Sequence, residues 1–314
     1  MNVGAFEINK ANSSMRIKSF TVKPIYSVEA ISKTLKHQES LYDIEFNNIE
    51  LSGIDTRLLI SKQRLEVVTA TLQPVLKIYR DRTLAEDTSN KVGKSPHQLI
   101  QKIEFPFSVK KIVVRNGLVD YTEKKGEAKQ TGTVSFKNIN GTISNVTNIK
   151  DLISKSNLLI LDVTTSFMGV TPLHTIWKLP LNTSNGAFEV SGVVGSFNGP
   201  ELNPLIEPLG LASIKKGYVD KLTFNMTGND LGSKGSATFL YRDLQVELLK
   251  VDSGDVKKKE LMSFVTNALS KDSNPQNGVV RTEEIDFERD RTKSFFSLLW
   301  KSIFSAVKKT VQKL

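Results

Sequence analysis

The chain has 314 residues, 39% of them apolar, with 43 lysines and arginines against 33 acids, three histidines and no cysteine. That is enough apolar content for a real core in one elongated domain or two ordinary ones. A mean hydropathy of −0.21 excludes a polytopic membrane protein, and without cysteine there is no disulfide framework, thiolate chemistry or iron–sulfur site. The net charge of +10 favours anionic partners such as lipid headgroups or nucleic acid.

In chain order, the opening residues Met1 to Ile8 lack the basic, apolar and small-residue regions of a signal peptide, and no run of about 18 apolar residues follows anywhere. Ser27–Lys36 reads as a short helix with Ser27 as N-cap. Ile44-Glu45-Phe46-Asn47 alternates apolar with polar, the strand period. Thr83–His97, rich in polar and turn-forming residues, reads as a linker after a first segment, 1–82.

Beyond it, strand character dominates. Val109–Val114, Val134-Ser135-Phe136-Lys137, Leu158–Thr165, Phe188-Glu189-Val190-Ser191, Leu222-Thr223-Phe224-Asn225-Met226 and Ala237–Leu249 follow one another. Turn chemistry separates them at Asn116-Gly117, Asn140-Gly141, Asn185-Gly186, Asn198-Gly199-Pro200 and Gly228-Asn229-Asp230. Val256–Leu269 reads as a second helix. Closely spaced strands with few helices imply a mainly β fold of meanders.

The last 26 residues hold seven basic side chains against one acid, so +6 of the net charge lies there. A helix from Ser294 would carry a polar stripe at Ser294, Ser297, Lys301, Ser305, Lys308 and Gln312, with bulky apolar residues over the remaining arc. Its length, ~31 Å at 1.5 Å per residue, could cross a bilayer, but Lys301, Lys308 and Lys309 would each cost about 2.5–3.5 kcal/mol mid-membrane. Such a basic amphipathic helix suits a membrane interface, lying flat. The expected interfacial residues are Phe295, Phe296, Leu299, Trp300, Lys301, Ile303, Phe304, Val307 and Lys308. The alternative is a helix that caps the fold with its lysines merely solvated.

Short segments repeat. Gly117-Leu118-Val119-Asp120 recurs as Gly217-Tyr218-Val219-Asp220, Phe46-Asn47-Asn48-Ile49 resembles Phe136-Lys137-Asn138-Ile139, and Arg80-Asp81-Arg82-Thr83 recurs as Arg289-Asp290-Arg291-Thr292. Together they fit a quasi-repeating β assembly stacked along one axis.

Catalytic motifs are nearly absent. His37, His97 and His174 are far apart and form no metal-ligand motif, so no metal and no cofactor is expected. Gly93-Lys94-Ser95 looks like the end of a phosphate loop, but the required upstream glycine is Thr88 and Pro96 follows at once. Lys110-Lys111 and Lys215-Lys216 lack the interleaved aromatics of a nucleic-acid surface. The expectation is a protein that is not an enzyme and does not bind nucleic acid.

Several segments carry a family resemblance. They are Val114–Tyr121, Phe136–Ile143, Gly192–Leu205 with Pro208-Leu209-Gly210 and Lys216–Asp220, Gly235–Leu244, Arg289-Asp290-Arg291, and Phe295–Trp300. In this order, over about two-thirds of the chain, they resemble the AsmA-like proteins of Gram-negative bacteria, in particular the C-terminal portion of the large Bacteroidetes-type members. The segment Leu72–Asp81 is similar to the section that precedes it in such proteins. The resemblance implies an elongated, curved antiparallel β-groove in the periplasm, related to bridge-like lipid transfer proteins and carrying phospholipid for outer-membrane homeostasis. It also implies an inner-membrane anchor upstream; none is present here, so the chain reads as a fragment or as a product without the anchor.

On this reading the segments are 1–82, an N-terminal β segment; 83–97, a linker; 98–292, the groove domain; and 293–314, the basic helix. Val134, Phe136, Phe188, Val190, Leu222, Phe224 and Met226 are the expected inner-face residues, the partners are phospholipid or a membrane surface together with envelope proteins, and the location is periplasmic and membrane-associated. Two rivals stand beside it: a closed β interaction module, and an outer-membrane assembly factor whose sheet edge and C-terminal helix bind a protein partner.

Overall fold

The computed structural model describes residues 1–124, 131–210, 212–252, 255–258 and 272–312. Its strands are β1 (Asn2–Val3), β2 (Phe6–Asn9), β3 (Ser14–Val22), β4 (Ser40–Ile54), β5 (Leu65–Asp81), β6 (Phe107–Lys124), β7 (Thr131–Thr147), β8 (Leu158–Phe167), β9 (Thr171–Pro180), β10 (Phe188–Val194), β11 (Phe197–Asn198), β12 (Ala212–Gly228), β13 (Gly232–Asp252), β14 (Asp255–Lys258) and β15 (Glu283–Glu288). Among the described residues, six short or medium helices accompany them: α1 (Val28–Ser32), α2 (Thr56–Lys62), α3 (Pro96–Ile100), α4 (Lys150–Ile153), α5 (Asn203–Gly210) and α6 (Phe295–Val311).

The strands join into one open, curved sheet, mostly in sequence order, with β1 and β2 along one edge and β15 against β13 at the other. The mainly β architecture with few helices and a C-terminal helix is therefore as the sequence implies. One expectation fails: the sheet is mixed. β5 and β6 pair in parallel, in register from Leu65↔Phe107 to Asp81↔Lys124. Parallel neighbours need a crossover of a dozen or more residues, and residues 82–106 supply it.

Residues 83–97 are thus a crossover inside one sheet and not a linker between domains. Its end is tied down: Ser95 and His97 are buried, and the Gln98 side-chain amide donates to Asp230 at 2.7 Å and to the Ser184 carbonyl at 3.1 Å. Arg289, 1% exposed, donates to Asp230 at 2.7 Å and to the Lys91 carbonyl at 3.1 Å.

Asn116-Gly117 and Asn140-Gly141 are not turns between strands. Both lie inside long strands, at register shifts of the β6–β7 and β7–β8 ladders. Asn48, Asn116 and Asn138 have φ of 50°, 48° and 52°, the conformation that an extra residue in a bulge demands and that Asn tolerates. These kinks let long strands bend without ending. α1 begins at the expected N-cap, Ser27, whose hydroxyl accepts from the Ala30 amide, but it ends at Ser32. Of the helix expected over 256–269, residues 256–258 belong to β14 and the rest lies outside the described residues.

α6 starts as expected, with the Ser294 hydroxyl accepting from the Ser297 amide. Phe295, Leu298, Leu299 and Ala306 pack onto Leu179, Phe188, Val190, Phe224, Met226 and Ile285. Val307 and Val311 reach a second cluster built on Phe197, Val219, Phe239, Tyr241 and Leu244.

Candidate apolar binding face

Residues directly opposed in a ladder project from the same face of a sheet. One unbroken chain of such partners runs Ile8, Met15, Leu51, Ala70, Ile112, Ile143, Leu161, Trp177, Val190, Met226, Gly235 and Ile285, across twelve strands. A second runs Val22, Ile44, Leu76, Val119, Phe136 and Phe167, and a third Tyr42, Ile78, Tyr121 and Val134. The neighbouring row on the other face reads Asp43, Lys77, Asp120 and Ser135. These three rows on one face are apolar, and the row between them on the other face is polar.

Only part of the apolar face is covered by α6. Trp177, Val190, Met226 and Ile285 lie in the cluster beneath it. Over β3 to β7, Met15, Ile44, Leu51, Leu76, Ile78, Ile112, Val119, Tyr121 and Ile143 are only half-buried, and Tyr42 is exposed. The flanks of α6 face opposite ways. On one, the Lys309 ammonium donates to the Glu284 carbonyl of β15 at 3.0 Å. On the other, the Phe296 ring lies 6.2 Å from Trp177 of β9. That second flank carries Phe296, Trp300 and Phe304, 59%, 56% and 51% exposed, with Trp300 stacked on Phe304 at 5.8 Å. The helix therefore turns an aromatic edge toward the uncovered half of the sheet, as a wall beside an apolar floor.

The expected site residues divide accordingly. Phe188, Val190, Phe224 and Met226 are buried and Leu222 packs between both clusters. These five line no open groove, because the buried side of α6 fills the space over them; Phe188 meets Phe295 edge-on at 5.2 Å. Val134 and Phe136 are half-buried on β7 outside the cluster beneath α6, with α5 packed against the same strand and Phe136 5.5 Å from Phe167. Of the interfacial set, Phe295 and Leu299 are core residues, and Ile303 and Val307 pack partly against it. Phe296, Trp300, Lys301, Phe304 and Lys308 are exposed. Ile44, Leu76, Ile78, Val119 and Tyr121 were missed. The alternation of Tyr42, Ile44 and Phe46 was the signal for the first of them.

One margin of this face carries a cluster of polar groups. There the Tyr121 hydroxyl donates to Glu123 at 2.8 Å, and Arg82 pairs with the same carboxylate at 2.8 Å. Burial, and then the Glu123 charge, push the Tyr121 phenol up to about 12. Tyr121 therefore stays a neutral donor. His97 stands elsewhere, beneath the first turn of α6, with its ring 6.4 Å from Phe295. Burial lowers its pKa below the ordinary imidazole value, against the opposing pull of Asp230. His37, His97 and His174 are not brought together, and no group of three His, Cys, Asp or Glu side chains among the described residues is placed to hold a metal. Among the described residues no helix is long and apolar enough to cross a membrane.

No protein-family model matches the chain, and no curated protein matches it significantly.

Proposed function

We propose that this protein binds phospholipid acyl chains on the uncovered apolar face of its sheet, as a non-enzymatic carrier or guide in the Gram-negative cell envelope. The observation that carries the reading is the apolar row that continues, half-exposed, past the edge of α6 for several strands. A monomeric protein seldom leaves so broad an apolar surface without an occupant. An acyl chain laid there would gain ~0.8 kcal/mol per buried CH₂, and the work done would be partition and not bond-making. Periplasmic, membrane-associated placement and a role in outer-membrane homeostasis come from the likeness to AsmA-like proteins, and the exposed Phe296, Trp300 and Phe304 beside Lys301 and Lys308 suit contact with an anionic lipid surface.

The test is native mass spectrometry with lipid extraction on protein purified in mild detergent. Phospholipid should co-purify, and Leu76→Asp with Val119→Asp should remove it from a protein that still unfolds cooperatively. A folded wild-type chain that carries no lipid and takes none up from vesicles would overturn the reading.

One observation favours a second reading, strand addition by a protein partner. β2 forms a free edge on which Phe6 and Ile8 are more than half exposed, and an edge of that kind is a template for an added strand. Lysine at position 8 would abolish partner capture and leave lipid binding intact if this reading held.

A further inference from the structure

The inner face of β5 reads Ala70, Leu72, Pro74, Leu76, Ile78 and then Arg80. Five apolar residues, spanning roughly 33 Å from 70 to 80 at strand rise, end on one cation. Arg80 faces Ser40 on β4 and Glu123 on β6 by register, so it stands at the polar margin of the floor.

Its hydrogen bonding is unlike that of its peers. Among the described residues, four arginines bury an Nε without an acceptor: Arg64, Arg80, Arg281 and Arg289. Arg64 pairs with Glu66, Arg281 donates to the Ser273 carbonyl at 2.6 Å, and Arg289 pairs with Asp230 at 2.7 Å. Among the described residues Arg80 donates to the Gln38 carbonyl, at 3.4 Å, and to no carboxylate. The nearby carboxylates are already engaged: Glu123 by Arg82 and Tyr121, and Asp81 by Thr83 and Lys124. Among the described residues, Arg82 and Lys124 thus pair with Glu123 and Asp81, and Arg80 is the cation of this margin that is in no ion pair with them.

We propose that Arg80 receives the anionic headgroup of an amphiphile whose chain lies along the β5 track, so that the site selects phosphate- or carboxylate-headed lipids over neutral ones. This rests on the acyl-chain reading above and adds to it a headgroup end and a polarity. A guanidinium half-sheltered from water donates strongly to a phosphate oxygen, whereas the apolar floor alone cannot tell one headgroup from another.

The experiment measures binding of dodecyl phosphate and of dodecyl maltoside, each below its micelle concentration, by isothermal titration calorimetry on the full chain. Arg80→Gln should weaken dodecyl phosphate by roughly ten-fold or more and leave dodecyl maltoside unchanged, while Arg80→Lys retains part of the preference. Thermal melts of both variants establish that they fold. Equal affinity of wild type for the two amphiphiles, or an Arg80→Gln effect on both alike, would overturn the headgroup role and leave the groove standing. Inorganic phosphate competing as well as dodecyl phosphate would show a free-anion site and overturn the amphiphile. If wild type binds neither amphiphile, the underlying lipid reading fails.

Discussion

Asp230 and Arg289 fasten the crossover of residues 82–106 to the far end of the sheet. Their side chains are 7% and 1% exposed, so each would be a bare charge in a low-dielectric site without the other. Asp230→Ala should cost about 3–5 kcal/mol in urea unfolding, because Arg289 then stays buried without its partner, and replacing both by apolar residues should cost less. His97, 1% exposed with neither ring nitrogen bonded to a described residue, gives a pH dependence. Its pKa is lowered in the fold, so as pH falls through the unfolded value, about 6.5, the unfolded chain takes up a proton that the native chain does not. Stability is therefore full above that pH and declines below it. Urea midpoints at pH 7.5 and 5.5 should converge in His97→Leu relative to wild type; an unchanged gap would show that other groups cause it. Nothing near Arg289 in sequence shows that its partner is Asp230.

At the scale of elements, the three sequence echoes turn out to have structural counterparts. Phe46–Ile49 and Phe136–Ile139 each place their Asn, 48 and 138, at positive φ in a bulge. Gly117 and Gly217 each sit at register shifts. Asp81 accepts from the Thr83 amide at 2.8 Å and Asp290 from the Thr292 amide at 2.9 Å, the same cap at the exit of two strands. Repetition was legible; its meaning, strands that bend and continue instead of turning, was not, because Asn-Gly serves a bulge and a hairpin equally well. Gly141, at φ 157°, would bring a Cβ within 2.1 Å of the Asp162 carbonyl oxygen, so Gly141→Ala should cost roughly 1–3 kcal/mol in thermal or urea unfolding, while Asn138→Gly should be close to neutral. The register of α6 was equally legible from Ser294 onward, but an amphipathic pattern does not say which apolar side chains meet the core and which stay outside. Trp300, on the exposed flank, should shift its emission to the blue when anionic vesicles are added to a Trp177→Phe background, and the shift should weaken with salt. An unshifted spectrum from a folded helix would remove α6 from the lipid contact.

For the whole molecule, the two ends of the sheet differ. At the β15 end α6 covers the apolar face and Lys309 occupies a backbone carbonyl of the outermost strand. At the β1–β2 end the apolar row runs out to Val3, Phe6 and Ile8, all more than half exposed, with no proline or inward lysine to blunt the edge. The alternation of single strands revealed the apolar face, on which Val134 and Phe136 lie half-buried outside the cluster beneath α6. That α6 would fold back over Phe188, Phe224 and Met226 depends on contacts between residues far apart in the chain, which no local pattern encodes. The same contacts predict how the two halves respond to a buried charge. Aspartate at Met226 should prevent folding, since it would strand a carboxylate beneath the helix, whereas aspartate at Leu76 should leave a cooperative transition. The open edge predicts self-association of this 314-residue chain that grows with concentration, seen by sedimentation velocity. Phe6→Lys with Ile8→Lys should abolish it, because two charges on an edge strand make further pairing unfavourable, whereas Asp286→Lys at the capped end should not. Association that survives the edge lysines but disappears with Trp300→Ser would instead assign it to the aromatic flank of α6.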